Sequence, residues 1–228
     1  MGKNLIFFVD FDGTVVSQDI CASMVKKYAG KGWEELNQLW EQGELSTGEC
    51  AQQTLNLMQV KPEELHAFFG RFELDPGFKS FASWTATNNH PVYILSDGYD
   101  NYIDLVFRKY GLNIPYYANH LEFEDGWRFV ARHQNGECDK CGVCKKQIIE
   151  EKTPPGWTRI YIGDGYSDTC PVSACDMVFA KNSLADYCRS EGIAFESYQD
   201  FNDITRKLDE VFLEGKNDEL QDAARSSK

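Results

Sequence analysis

The stretch FFVDFDGTVV, residues 7–16, runs from an apolar segment straight into two carboxylates, Asp10 and Asp12, with only Phe11 between them. Like charges repel each other, and burial raises the free energy of each ionised carboxylate further. Two interpretations are open at this point. The stretch is either a solvated turn that happens to carry acidic residues, or a site where a bound cation offsets the repulsion.

Composition narrows the class of protein. The chain has 228 residues, of which 42% are hydrophobic and 14% aromatic, enough for one large domain or a core with a smaller insert. Its formal charge of -13 disfavours nucleic acids and anionic membranes as partners, because their phosphates repel an acidic surface. No stretch approaches the roughly 20 apolar residues that span a bilayer. We expect a cytoplasmic protein, monomeric or homodimeric, that keeps its eight cysteines as thiols.

The apolar stretch at 5–10 is the first of several strand-like runs. The others lie at 91–98, 158–165, 176–180 and 193–197, and helical patterns separate them. Continuous apolar runs are typical of strands buried on both faces of a parallel sheet. The alternation predicts an α/β fold with a Rossmann-like, doubly wound parallel sheet.

Two insertions interrupt the alternation. Residues 15–75 show mostly helical patterns, with helix starts at 47–48 and 61–62, which predicts a helical cap inserted after the first strand. The core is then formed by 1–14 and 76–228. Residues 116–133 predict a hairpin that turns at Asp125 and Gly126.

Polar side chains follow three of the predicted strands at the point where each strand ends. In doubly wound sheets, ligands bind at the carboxyl ends of the strands, so these side chains are expected to meet at one edge. They are Asp10, Asp12, Ser96, Asp97, Asp164 and Asp168.

This set of residues suits phosphoryl chemistry. Mg²⁺ prefers oxygen ligands and is usually held by one or two carboxylates together with substrate phosphate oxygens. Asp10 can then act as a nucleophile, while Asp12 can protonate a leaving oxygen and later activate water. A lysine is needed to neutralise the transferring group, and either Lys145 or Lys146 can supply it.

The sequence resembles the haloacid dehalogenase superfamily in DFDGT at 10–14, Ser96, Lys145 and GDGYSD at 163–168. The resemblance implies a Mg²⁺-dependent phosphatase acting on a small phosphorylated metabolite through an aspartyl-phosphate. It makes Asp10 the nucleophile and Asp12 the general acid and base. It assigns the metal to Asp10, the carbonyl of Asp12 and Asp164, with Asp168 either as a further ligand or as a residue that supports the ligands. It assigns the phosphate to Thr14, Ser96, Asp97 and Lys145.

The position of the cap resembles the phosphoserine phosphatase branch. CGVCKKQII at 141–149, GDGYSDTCPVSACDMVFAK at 163–181 and LADYCRSEGIAF at 184–195 resemble phosphatases of methionine salvage that act on 2-hydroxy-3-keto-5-methylthiopentenyl 1-phosphate. Phosphoethanolamine/phosphocholine phosphatases share part of this pattern. Specificity is expected from Asp19, where the branch has an ammonium-binding acid, from Met24 in the cap, and from Arg71 as a possible carboxylate ligand.

Three alternatives stay open. Phosphoserine, phosphocholine or phosphoethanolamine would undergo the same chemistry, a phosphotransferase would use an alcohol instead of water, and a non-catalytic relative would only bind a phosphate ligand. Separately, Cys138, Cys141 and Cys144, with His133 nearby, have a spacing that zinc ligands use, but a thiol-rich loop explains it equally.

Overall fold

The computed structural model describes residues 4–136, 138 and 140–210. Seven strands form one sheet, and their bounds are β1 (Leu5–Val9), β2 (Val92–Tyr99), β3 (Tyr116–Phe123), β4 (Trp127–Val130), β5 (Thr158–Gly163), β6 (Met177–Ala180) and β7 (Glu196–Ser197). Their order across the sheet is β4-β3-β2-β1-β5-β6-β7. All neighbours run parallel except β3 and β4. The α/β, doubly wound fold predicted from the sequence is therefore confirmed.

β1 lies at the centre of the sheet because its side chains are apolar on both faces. Phe7 pairs with Val92 on one side and with Ile160 on the other. The rings of Phe7 and Phe8 point to opposite faces and enter two separate hydrophobic clusters, and both are fully buried. A strand covered on both faces needs no alternation of polar and apolar residues, which explains the unbroken run LIFFV.

Helices cover both faces of the sheet. Their bounds are α1 (Ile20–Tyr28), α2 (Trp33–Glu41), α3 (Thr47–Asn56), α4 (Pro62–Phe69), α5 (Phe78–Thr87), α6 (Asp100–Tyr110), α7 (Lys145–Lys152) and α8 (Asn182–Ser190), and one more helix covers 201–210. α7 and α8 pack on the face of Phe8. The other helices belong to the cluster of Phe7, except α2, which has no residue in either cluster. Over the described ranges, no helix is long and apolar enough to cross a membrane.

The segment predicted as a cap holds α1 to α4, and helices α3 and α4 begin where the sequence indicated. Ser46 precedes α3, and its hydroxyl accepts a hydrogen bond from the N–H of Glu49. The carboxylate of Glu49 in turn accepts the N–H of Ser46. Pro62 opens α4, where a missing N–H costs nothing. The division into a core (1–14, 76–228) and a cap (15–75) stays a prediction, and 211–228 lies outside the described residues.

The predicted hairpin forms, but it is not an insertion. β3 and β4 pair antiparallel across Asp125 and Gly126, and β3 also joins the main sheet in parallel beside β2. The sequence YYANHLEF hides this because polar residues interrupt its apolar pattern. One of them, Asn119, is fully buried and donates a hydrogen bond to the carbonyl of Asp97 in β2.

Candidate active site

The carboxyl ends of β1, β2, β5 and β6 open into one cavity of about 500 Å³. Asp10, Ser96 and Asp164 line it from the sheet, and Asn182 lines it from the start of α8. The opposite wall comes from α1, α2 and α3. The strand ends therefore bring together the carboxylates that the sequence analysis singled out.

Lys145 joins two of these carboxylates at the base of the cavity. Its Nζ lies 2.6 Å from Oδ1 of Asp10 and 2.6 Å from Oδ1 of Asp168. All three side chains are buried. Burial acts to lower the pKa of Lys145, but the charges of Asp10 and Asp168 outweigh it and raise that pKa above its ordinary value. The lysine therefore stays charged although water is excluded.

The geometry distinguishes the two candidate lysines. Lys145 is the first residue of α7, a helix that turns its buried face toward the sheet with Ile148 and Ile149. Lys146, one residue on, is exposed. A step of one residue rotates a side chain by about 100° around a helix, which separates the two ammonium groups.

Asp10 experiences several opposing electrostatic effects. Burial raises its pKa well above the ordinary value, and the carboxylates of Asp168 and Asp164 raise it further, whereas Lys145 lowers it. Burial and Asp168 likewise raise the pKa of Asp164. Three carboxylates against one ammonium leave an excess of negative charge, which is the environment that attracts a divalent cation.

The residues fit a hard cation such as Mg²⁺. Asp10, Asp164 and Asp168 each place one carboxylate oxygen within 4.8 Å of the others, and they are the only such group of three found in the described chain. Asp168, however, is fully buried and already accepts hydrogen bonds from Lys145, from the hydroxyl of Tyr161 and from the N–H groups of Asp164 and Gly165. It orients Asp164 and Lys145, whereas Asp10 and Asp164 line the cavity.

Asp12 is held at both carboxylate oxygens. Oδ1 accepts a hydrogen bond of 2.8 Å from the N–H of Ile20, and Oδ2 accepts one from the hydroxyl of Tyr102. Ser96 lies 3.4 Å from the same Oδ2. Burial raises the pKa of Asp12 to about 7, with a further contribution from Asp19. A carboxyl group with that pKa can both release and accept a proton near neutral pH.

Two glycines, Gly13 and Gly98, allow the side chains of Asp164, Asp12 and Tyr102 to approach the backbone. Gly13 has φ of +74°, and a Cβ atom there would lie 2.4 Å from Oδ2 of Asp164. A Cβ atom at Gly98 would lie 1.6 Å from the hydroxyl of Tyr102 and 2.6 Å from Oδ2 of Asp12. Neither position has room for a side chain while the carboxylates keep their places.

The predicted phosphate ligands lie at or beside the cavity, but their side chains have different hydrogen-bond partners. Ser96 lines the cavity and accepts a hydrogen bond from the N–H of Gly98. Thr14 is buried and donates to Asp164 over 3.3 Å. Asp97 lines the cavity too, but its carboxylate accepts the N–H of Val143, two residues before Lys145. Any contact of Asp97 with phosphate is therefore left to its backbone.

Two of the three predicted specificity residues line the cavity, and the third does not. Asp19 and Met24 both line the cavity from α1, where Asp19 also caps the helix by accepting the N–H of Ala22. Arg71 does not: it is exposed just beyond the end of α4 and is absent from the cavity wall. This corrects the expectation of a carboxylate ligand there, which rested on its position in the sequence alone.

The structure gives the zinc interpretation of the cysteines no support. In the part of the chain that is described, Cys138, Cys141, Cys144 and His133 do not bring three ligand atoms together as the aspartates do. Cys138 is exposed, Cys144 is buried, and all eight cysteines are free thiols. The loop instead packs along the cap, where the carbonyl of Lys140 accepts the N–H of Thr47.

The sequence analysis missed two supporting side chains. Asn182 follows β6 with φ of +49° and donates to Oδ2 of Asp164 over 3.0 Å. Extending the strand-end argument to the run at 176–180 would have found it. Tyr102 on α6 could not have been found this way, because its contact with Asp12 depends on how α6 packs on β1.

Similarity to known proteins identifies the family of the chain. The family model for haloacid dehalogenase-like hydrolases matches residues 7–170. A Brevibacillus brevis protein named 2-hydroxy-3-keto-5-methylthiopentenyl-1-phosphate phosphatase is 28% identical over 219 residues, 92% of this chain and 98% of its own. A Bacillus mycoides protein of the same name is 29% identical over 88% of this chain and 94% of its own.

Solved structures of phosphoserine phosphatases share the fold. One, a phospho-aspartyl intermediate analogue, superposes with a TM-score of 0.67 at 19% identity, over 90% of this chain and 99% of that one. A substrate-bound complex gives 0.66 at 17% identity, over 91% and 99%. From its matched residues and its architecture, the chain belongs to the haloacid dehalogenase-like hydrolase family.

Proposed function

We propose that this protein is a Mg²⁺-dependent phosphomonoesterase whose substrate is 2-hydroxy-3-keto-5-methylthiopentenyl 1-phosphate, an intermediate of methionine salvage. The observation that carries the proposal is the convergence of Asp10, Lys145 and Asp12 at the strand-end side of one cavity. The names of relatives that span nearly the whole chain support the choice of substrate.

The reaction has two steps. An oxygen of Asp10 attacks phosphorus and forms an aspartyl-phosphate, while the bond from phosphorus to the leaving oxygen breaks and Asp12 gives that oxygen its proton. Water then attacks the aspartyl-phosphate, Asp12 takes a proton from it, and the bond between phosphorus and Asp10 breaks. Lys145 holds Oδ1 of Asp10 at 2.6 Å, and we assign the attack to Oδ2.

Mg²⁺ would be held by the carboxylates of Asp10 and Asp164 together with the carbonyl of Asp12, and it would supply positive charge to the phosphate oxygens. Thr14 and Asn182 orient the carboxylate of Asp164 for this role, because each donates a hydrogen bond to one of its oxygens. Lys145 adds a fixed positive charge from the protein side.

The cavity wall favours a substrate whose organic part lacks a carboxylate. Among the described residues, no lysine, arginine or histidine lines it. The cap helices contribute apolar side chains to the wall, namely Met24, Trp33, Trp40 and Leu55. A methylthio group can pack there, whereas the carboxylate of phosphoserine would lose its hydration without gaining a positive partner.

A specific feature of the wall supports a second candidate, phosphocholine or phosphoethanolamine. Trp33, Trp40 and Tyr166 line the cavity together with the acidic side chains of Asp19 and Glu41. Aromatic faces and carboxylates attract ammonium groups. This class would undergo the same two steps, so only the organic part of the substrate distinguishes the two candidates.

The test is phosphate release from methylthiopentenyl phosphate, phosphoserine, phosphoethanolamine and phosphocholine, each with Mg²⁺ and with EDTA. We expect Mg²⁺-dependent release that is fastest with the methylthio compound. Asp19→Asn separates the candidates when the two classes are compared, because it should lower kcat/KM more for the ammonium substrates than for the methylthio compound. Its effect through the pKa of Asp12 applies to both classes. Absence of release from all four would contradict the proposal.

The proposal also covers the acceptor of the phosphoryl group, the location of the protein and its oligomeric state. Water is the acceptor, and product analysis with added alcohols would reveal a phosphotransferase instead.

The acidic composition and the free thiols support a cytoplasmic protein that binds neither nucleic acid nor membranes and is monomeric or homodimeric. Light scattering of the purified protein checks the oligomeric state.

A further inference from the structure

We infer that Tyr102 is a positioning residue for the proton transfer by Asp12, and the inference rests on the proposed function. The hydroxyl of Tyr102 donates a hydrogen bond to Oδ2 of Asp12. Tyr102 is fully buried and does not line the cavity, so it reaches the carboxylate from behind. It acts on the substrate only through Asp12.

The hydrogen bond restrains the carboxylate because a second donor holds the other oxygen. The N–H of Ile20, the first residue of α1, donates to Oδ1 over 2.8 Å. Two donors on opposite oxygens fix the plane of a carboxylate. Without Tyr102, Oδ2 keeps the longer contact with Ser96, 3.4 Å away, which restrains the carboxylate less. Asp12 is thereby tied to α6 on one side and to α1 on the other.

The ring of Tyr102 is held independently of its hydroxyl. It stacks on Phe11, with centroids 5.8 Å apart, and meets Phe69 edge-on at 5.2 Å. Phe11, the residue between the two catalytic carboxylates, therefore turns away from the cavity and locks Tyr102 in place. Removing only the hydroxyl should leave this packing intact, which makes Tyr102→Phe a clean test.

Gly98 shows that the backbone is shaped around the same contact. A Cβ atom there would lie 1.6 Å from the hydroxyl of Tyr102, so Gly98→Ala must displace Tyr102 or the strand end. The dipeptide Asp97-Gly98 at the end of β2 thus has a local reason: Gly98 leaves space for the hydroxyl that orients Asp12.

The dependence of the rate on the leaving group distinguishes a positioning role of Tyr102 from a merely structural one. p-Nitrophenolate leaves without a proton, whereas an alkoxide leaves well only when an acid protonates it. For Tyr102→Phe we expect kcat/KM to fall about 10- to 100-fold with phosphoserine or phosphoethanolamine, whose leaving groups are alkoxides, as befits part of a general-acid effect. With p-nitrophenyl phosphate we expect a fall of less than about threefold.

Tyr116→Phe is the matched control, since it also removes a phenol that donates to a carboxylate on α6, that of Asp104, at 2.6 Å. It should leave both substrates unchanged. Should Tyr102→Phe fail to fold, Phe69→Leu, which removes the ring that meets Tyr102 edge-on, is measured in the same way and should show a selective loss of the same kind. Equal losses for both leaving groups, or no loss, would overturn the inference. If the unaltered protein releases phosphate neither from any of these compounds nor from methylthiopentenyl phosphate, the proposed function itself has failed.

Discussion

At the scale of single residues, Lys145 is predicted to support both activity and stability. Lys145→Met leaves the carboxylates of Asp10 and Asp168 buried without their ammonium partner, which should lower the free energy of unfolding by about 3 kcal/mol. Phosphate release should fall by about 10²- to 10³-fold. Lys146→Met is the control, because that side chain is exposed. Urea unfolding and phosphate assays check both; similar behaviour of the two variants would contradict the assignment.

Asp10→Asn is predicted to separate activity from stability. An amide cannot form the aspartyl-phosphate, so turnover should fall on the order of 10⁴-fold or more. The fold should persist, because the change removes one of three carboxylates that repel one another while keeping the shape of the side chain. Appreciable turnover in a phosphate assay, or an unfolded protein by circular dichroism, would count against Asp10 as nucleophile.

The sequence located the carboxylates more readily than the groups that orient them. Asp10, Asp12 and Asp164 follow strands, and strand ends of a parallel sheet meet at one edge, so their proximity could be deduced. Tyr102 is different. Its helix pattern indicates only that one side of α6 is buried, and which neighbour its hydroxyl meets depends on packing between α6, Phe11 and Phe69. No periodicity encodes that contact.

At the scale of elements, Gln52 fastens α3 to the edge of the sheet. Its amide oxygen accepts the N–H of Phe129, 2.9 Å away, and its amide nitrogen donates to the carbonyl of Trp127 over 3.1 Å, as a neighbouring strand would. Gln52→Ala should speed hydrogen exchange at the Phe129 amide about fivefold, for the loss of about 1 kcal/mol. Gln147→Ala is the control, because the amide of Gln147 donates to Glu151 within α7. Unchanged exchange at Phe129 would show that α3 is held otherwise.

The elements themselves were mostly predictable, with one instructive exception. Strands buried on both faces are recognisable in the sequence as continuous apolar runs, such as LIFFV in β1 and IYI in β5. β3 pairs with two neighbours yet carries the buried polar residue Asn119, which breaks the run. Asn119 stabilises this position because its side-chain amide donates a hydrogen bond to the carbonyl of Asp97, near the end of β2.

At the scale of the whole molecule, Mg²⁺ should stabilise the fold. A cation that binds only the folded state at 100 times its Kd adds about 2.7 kcal/mol, which for a protein of this size raises Tm by about 5–10 °C. Thermal unfolding with Mg²⁺ and with EDTA measures this without an assay of activity. Asp164→Asn should abolish the increase, and Asp186→Asn, at an exposed carboxylate, should keep it. An increase that survives Asp164→Asn would place the cation elsewhere.

The position of β1 has a consequence for synthesis of the protein. β1 pairs with β5, and Leu5 lies opposite Thr158, so the central strand leaves the ribosome long before one of its two partners exists. Until then LIFFV is an apolar strand with an open edge, the kind of segment that aggregates or recruits chaperones. Chains that stall before residue 158 should therefore be recovered in the insoluble fraction, while released full-length chains stay in solution.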